Sequence, residues 1–176
     1  EPINNGVYRA GFATKQDPYD EAVETLFAAL DHWDEVLADQ RYLAGDRLTE
    51  ADIAMFTTLV RFDNVYHTHF MCNVQYIRDY DNLWPYLRDL YQTGIVDRGE
   101  RTPDGRTGSE ATRKSVVAET VNMAHIKEHY YTTHPDVNPH RIVARGPDLE
   151  FEAPHDRDAL PGGPPSALRA TASGDD

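Results

Sequence analysis

The chain has almost no lysine and a single cysteine. Its 176 residues hold 3 Lys against 14 Arg, and Cys72 is the lone thiol. One cysteine excludes an internal disulfide framework and fits a reducing compartment, so the expected location is the cytoplasm. Positive charge is also scarce: 17 Lys and Arg face 30 Asp and Glu, for a net charge of −13. Phosphate backbones and anionic lipid require clustered cations, so neither nucleic acid nor membrane is expected as a partner. No run approaches the roughly 18 apolar residues of a membrane span, and no charged-then-apolar leader opens the chain. Opening on Glu1-Pro2 instead of Met reads as a fragment or a processed product. The acids are mostly aspartate, 19 against 11 Glu. Such an Asp-rich, Lys-poor surface fits a halophilic protein, although an ordinary acidic surface from a GC-rich genome has the same composition.

What is present is helical. Thr49 and Asp52 have the spacing of an N-capping box, with Leu48 and Ile53 placed as a hydrophobic staple around it. The helix that follows carries Ile53, Met55, Phe56, Leu59, Val60 and Phe62 and is apolar on nearly every side. That pattern belongs to a helix enclosed by others, and it is expected to run from Thr49 to about His67. Before it, Asp17-Pro18 reads as a cap and a first-turn proline. Tyr19, Val23, Leu26, Leu30, Trp33 and Leu37 then form one apolar stripe opposite a face of carboxylates. A short turn or helix near Val74–Ile77 leads to Asp81-Asn82, which reads as the cap of a helix holding Leu83, Leu87, Leu90 and Tyr91. A last helix is expected from about Val116 to Tyr131, since Pro135 and Pro139 forbid its continuation.

No convincing strand appears, so the expected fold class is all-α. The expected domain is a helical bundle over residues 1–160. Residues 97–113, polar, Gly-rich and without period, read as an exposed loop inserted in it, and residues 161–176 as a disordered tail.

The capped helix and the Tyr42-Leu43-Ala44-Gly45-Asp46-Arg47 stretch before it resemble the C-terminal helical domain of glutathione transferases. Further segments narrow the likeness: Asn4-Asn5-Gly6-Val7-Tyr8-Arg9-Ala10-Gly11-Phe12-Ala13, Leu59-Val60-Arg61-Phe62-Asp63, Asn82-Leu83-Trp84-Pro85-Tyr86-Leu87, and His125-Ile126-Lys127-Glu128-His129-Tyr130-Tyr131 with His134-Pro135 and Asn138-Pro139-His140-Arg141. Occurring in this order, they resemble the Xi class of glutathione transferases, the glutathionyl-hydroquinone reductases. The likeness covers about Asn4 to Leu160. It departs at the 97–113 loop, and at the thioredoxin-like N-terminal domain, which is lacking here and which in the family supplies the nucleophilic cysteine and most of the glutathione site.

The resemblance implies a reaction. A thiolate attacks the sulfur of a glutathionyl-hydroquinone, the hydroquinone leaves, and a second thiol resolves the mixed disulfide. A ring carbon leaves poorly unless it is protonated, so donors that hold the quinol oxygens lower the barrier. Tyrosine suits that role, because its hydroxyl donates and accepts and stays protonated at neutral pH. By the resemblance, Tyr8 and Tyr130 take the two catalytic, quinone-binding positions. Tyr131 is the neighbouring substrate-binding candidate that a one-residue register shift would promote. Packing with a satisfied hydroxyl is the other role open to each. The co-substrate is glutathione or another low-molecular-weight thiol, and the partners are a hydroquinone conjugate, the thioredoxin-like domain and a second copy in a homodimer. Alone, the chain should be inactive. The competing reading is a non-catalytic helical module for dimerisation or partner binding.

Other groups point elsewhere. His125, Glu128 and His129 match the H-x-x-E-H spacing of some zinc proteases, but the proline-rich segment that follows offers no second ligand helix, so no metal is expected. Cys72 lacks a Cys-x-x-Cys partner and reads as a structural thiol. His67 and His69 read as the polar end of the central helix, and Arg61 with Asp63 as a structural ion pair or part of a cleft lining.

Overall fold

The structure, a computed structural model, describes residues 1–97, 113–165 and Leu168. Helices α1 (Gly6–Gly11), α2 (Gln16–Leu37) and α3 (Glu50–Arg61) come first. A π-helical turn, Phe62–Tyr66, then joins α3 to α4 (His67–His69), so the central helix continues two residues past its expected end but changes its winding midway. Helix α5 (Leu83–Gln92) and helix α6 (Met123–Thr133) complete the bundle.

Asp52 holds the core together. It is fully buried and accepts four hydrogen bonds: from the Thr49 N–H at 2.7 Å, the Thr49 hydroxyl at 2.9 Å, the Leu43 N–H at 2.8 Å and the Tyr86 hydroxyl at 2.9 Å. The capping box is therefore present, and its carboxylate also ties the preceding loop to α5. Met55, Phe56, Leu59, Val60 and Phe62 are buried as expected, whereas Ile53 is 47% exposed. Arg41 locks the far end, gripping Asp89 through Nε and Nη2 at 2.8 Å each while Asp158 meets it from the C-terminal segment.

Four local expectations are corrected. α2 starts at Gln16 with Lys15 at its cap position, so Asp17 and Pro18 lie inside its first turn and Asp17 is not the cap. α5 starts at Leu83, but its cap is tertiary: Asp34 of α2 accepts the N–H groups of Asn82 and Leu83 at 2.9 and 2.8 Å. α6 begins at Met123 and not near Val116, because Asn122 caps it by accepting the His125 N–H, while Ala118–Thr120 forms a 3-10 turn. A short antiparallel ribbon pairs β1 (Ile95–Asp97) with β2 (Arg113–Ser115), three residues a side, below the length at which alternation is legible.

Residues 98–112 of the expected loop lie outside the described residues, as do 166, 167 and 169–176 of the expected tail. The first tail residues pack on the body, where the Gly162 carbonyl accepts from Arg41 and Gly163 bridges to Arg47. Among the described residues no helix is long and apolar enough to cross a membrane.

Candidate functional site

Three elements distant in sequence bring three tyrosine hydroxyls to one point. Tyr8 comes from α1, Tyr66 from the end of the π-helical turn and Tyr130 from α6. The Tyr8 and Tyr130 oxygens are 2.6 Å apart, Tyr66 and Tyr130 3.0 Å, and Tyr8 and Tyr66 3.3 Å. Exposure grades across the trio: Tyr66 is 2%, Tyr130 9% and Tyr8 38% exposed. Burial raises the pKa of both Tyr66 and Tyr130, which keeps them protonated hydrogen-bond donors. For Tyr130 the hydrogen bond with Tyr66, and after it the nearby Arg61 charge, oppose that rise.

The walls are aromatic. Phe70 lies parallel to Tyr66, and Phe12, half exposed, lies parallel to Tyr8. Gly11 allows this approach, since a side chain there would overlap the Phe70 ring. His134 stands edge-on to Phe12 and places Nδ1 3.1 Å from Nε2 of His69. Burial lowers the pKa of both imidazoles, helped by the His134 charge at His69, which falls to about 4, and by the His129 charge at His134, so the pair is neutral at neutral pH. A planar, oxygen-bearing ring would find stacking faces and hydroxyl donors together here.

The sequence-derived residues thus divide. Tyr8 and Tyr130 come together. Tyr131 does not join them: it is 4% exposed, and its hydroxyl donates to the Asn64 carbonyl at 3.3 Å. Tyr66 was not singled out from the sequence. Phe62, Tyr66 and Phe70 recur every four residues and read as one core stripe, and nothing local reveals that a π-helical turn brings the Tyr66 hydroxyl to the other two.

The remaining candidates have structural surroundings. Cys72 is fully buried, and burial alone lifts its pKa to about 12, so it is a poor nucleophile. Arg61 and Asp63 do not pair: Arg61 donates to the Thr57 carbonyl, and Asp63 accepts the N–H groups of Ile77 and Arg78. His67 stacks flat on Tyr76. His125, Glu128 and His129 are exposed, and among the described residues no cluster of three or more His, Cys, Asp or Glu has metal-binding geometry.

The family model for the glutathione S-transferase C-terminal domain matches residues 16–89. The chain also superposes on a solved Xi-class glutathione transferase from Natrialba magadii with a TM-score of 0.78 and 75% identity, over 92% of this chain and 44% of that one. This chain belongs to the Xi class of glutathione transferases. The Xi-class domain is 45% identical over 158 residues to the glutathionyl-hydroquinone reductase YqjG of Escherichia coli, covering 90% of this chain and 42% of that protein. It is 46% identical over 147 residues to the glutathionyl-hydroquinone reductase PcpF of Sphingobium chlorophenolicum, covering 84% of this chain and 40% of that protein. It therefore spans well under half the length of these relatives. The glutathione-bound structure of YqjG superposes with a TM-score of 0.75. The all-α class, with the short ribbon added, is the helical C-terminal domain of that class.

Proposed function

We propose that this Xi-class domain is the quinol-binding half of a glutathionyl-hydroquinone reductase. The observation that carries the reading is the convergence of Tyr8, Tyr66 and Tyr130 within 3.3 Å at a half-open aromatic wall. The names of its relatives supply the chemistry. A thiolate on a thioredoxin-like partner domain forms a bond to the glutathionyl sulfur. The carbon–sulfur bond breaks and its electron pair passes to the ring carbon, which takes a proton. A second thiol then attacks the mixed disulfide, so two thiols are oxidised to a disulfide as the ring is released as hydroquinone. Tyr8 and Tyr130 donate to the quinol oxygens and favour the keto form that accepts the proton. Glutathione or another low-molecular-weight thiol binds on the partner domain, no metal takes part, and the whole protein is a cytoplasmic homodimer.

Under this reading the 176 residues alone do not turn over, because Cys72 is buried and unreactive. The test assays the chain alone, its Cys72→Ser variant, and the chain joined to the thioredoxin-like domain of a relative, each with glutathionyl-hydroquinone and excess thiol. Turnover only in the joined protein is expected. Turnover by the isolated chain that disappears in Cys72→Ser overturns the two-domain reading. A joined protein that binds glutathione yet reduces nothing favours a non-catalytic module.

A further inference from the structure

An open cavity of about 770 Å³ lies between the π-helical turn, the start of α6 and residues 145–151, with Asn64, Met123, Lys127, Arg145, Leu149 and Phe151 in its wall. Three independent features there favour a negative group. Met123 and Ala124 are the first residues of α6, and both line the cavity. The Asn122 side chain takes the His125 N–H and its carbonyl takes the Ile126 N–H, which leaves the Met123 and Ala124 N–H groups without acceptors among the described residues. A helix start with free N–H groups attracts anions.

Lys127 stands one turn on, over the same face. Its Nζ donates to the Arg145 carbonyl at 3.0 Å and keeps two further N–H bonds to give. Asn64 is 3% exposed, and its carbonyl takes the Tyr131 hydroxyl while its side-chain amide has no partner among the described residues. The Asn64 amide is not among the fully enclosed polar groups without a partner, so it opens on the cavity, where water or a ligand can take its bonds. The remaining wall is apolar, with Phe151 nearly buried and Leu149 and Met123 half-buried. In a chain of net charge −13 this is a local reversal of sign, although Asp148 stands in the same wall.

We propose that this cavity binds a small apolar carboxylate, an aromatic or branched aliphatic acid. The carboxylate meets the start of α6 and Lys127, the Asn64 amide donates to it from below, and the hydrocarbon body lies against Phe151 and Leu149. An inorganic anion would use the polar end and leave the apolar wall wet. The inference goes beyond the quinol reading and does not rest on it.

The test is calorimetric titration of the 176-residue chain with 1-naphthoate, and with neutral 1-naphthamide as its matched control. Naphthoate should bind one per chain, about tenfold or more tighter than the amide, because charge-assisted bonds are lost with the charge. Lys127→Gln and Asn64→Leu should each weaken naphthoate about fivefold or more. Ala124→Phe, a filling change at an exposed position of α6, should abolish binding. Lys127→Gln and Ala124→Phe alter exposed or half-exposed sites, so they test the cavity even if Asn64→Leu fails to fold. Equal affinity for acid and amide, naphthoate binding unchanged in Ala124→Phe, or no binding at millimolar naphthoate each overturn the proposal.

Discussion

The hydroxyls of Tyr8 and Tyr130 meet at 2.6 Å although 122 positions separate the two residues. Tyr8 is the more exposed of the two and Tyr130 the more buried, and their hydroxyls meet at one point. Under the proposed quinol reading, with the chain joined to a thioredoxin-like domain, Tyr8→Phe and Tyr130→Phe should each lower kcat about a hundredfold, the typical cost of one lost donor to a developing oxyanion. Thiol binding should be nearly unchanged. Tyr66→Phe should cost about tenfold, since Tyr66 is enclosed and acts by orienting the other two hydroxyls. Tyr131→Phe is the internal control and should stay close to wild type. Steady-state kinetics decide it. If Tyr131→Phe cripples the enzyme while Tyr130→Phe is silent, the assignment is off by one residue. Wild-type rates in all four variants would mean the tyrosines only pack.

How much of this was legible in the chain depends on range. The Thr49–Asp52 box is a three-residue signal with its own chemistry, and both its place and its partner could be read directly. What could not be read is what Asp52 does besides: its bonds to Leu43 and Tyr86 come from segments 9 and 34 positions away. The cap of α5 failed in the same way, because Asp34 stands 48 positions from Asn82. Tyr66 was hidden for a different reason. Its spacing from Phe62 and Phe70 is that of a core stripe, and the inserted π turn leaves no mark on that spacing.

Asp52 yields a stability prediction of its own. Asp52→Ala leaves the Leu43 and Thr49 N–H groups and the Tyr86 hydroxyl without their acceptor in a buried setting. Each such loss costs about 1–3 kcal/mol and the three share one site, so about 4 kcal/mol in total is expected. Tyr86→Phe, which removes a donor together with its bond, should cost only about 1 kcal/mol. Urea unfolding measures both, and a loss under 1 kcal/mol for Asp52→Ala would show that water replaces these bonds.

His69 sets a pH dependence whose sign can be worked out. Burial and then His134 hold its folded pKa at about 4, whereas an unfolded histidine titrates at about 6.5. Between those values the unfolded chain binds a proton that the folded chain refuses, so this group's stability is lost as pH falls from 6.5 toward 4. Asp63 opposes it. Burial raises its folded pKa to about 6 against two backbone N–H bonds, so its contribution grows as pH falls from 6 toward the unfolded value. The wild type mixes the two, and a variant separates them. Relative to wild type, His69→Phe should gain about 2 kcal/mol between pH 7 and pH 4.5. Urea unfolding at the two pH values checks it, and a difference that does not move with pH would show that His69 titrates as an ordinary histidine.

Helix α2 focuses the effect of salt. It carries Asp17, Asp20, Glu21, Glu24, Asp31, Asp34 and Glu35 and has no lysine or arginine. Asp17 and Glu21, Asp20 and Glu24, and Asp31 and Glu35 are like-charged pairs four residues apart, each of which weakens a helix by a few tenths of a kcal/mol. Summed with the net charge of −13, this repulsion loosens the fold wherever it is unscreened. The screening length falls from about 10 Å at 0.1 M salt to about 3 Å at 1 M, which is shorter than the spacing of such pairs. The melting temperature should therefore rise by about 4–8 °C between dilute buffer and molar KCl, the scale expected for a chain of this length if some 2 kcal/mol of repulsion is relieved. Sucrose, which raises stability without screening, should not reproduce the part of the rise that depends on charge. Glu24→Lys converts a repulsive contact with Asp20 into an attractive one, so it should raise the melting temperature in dilute buffer and shrink the response to salt. Equal melting temperatures in dilute and molar KCl would remove the halophilic reading, and a Glu24→Lys variant with an unchanged salt response would place the repulsion elsewhere than on α2.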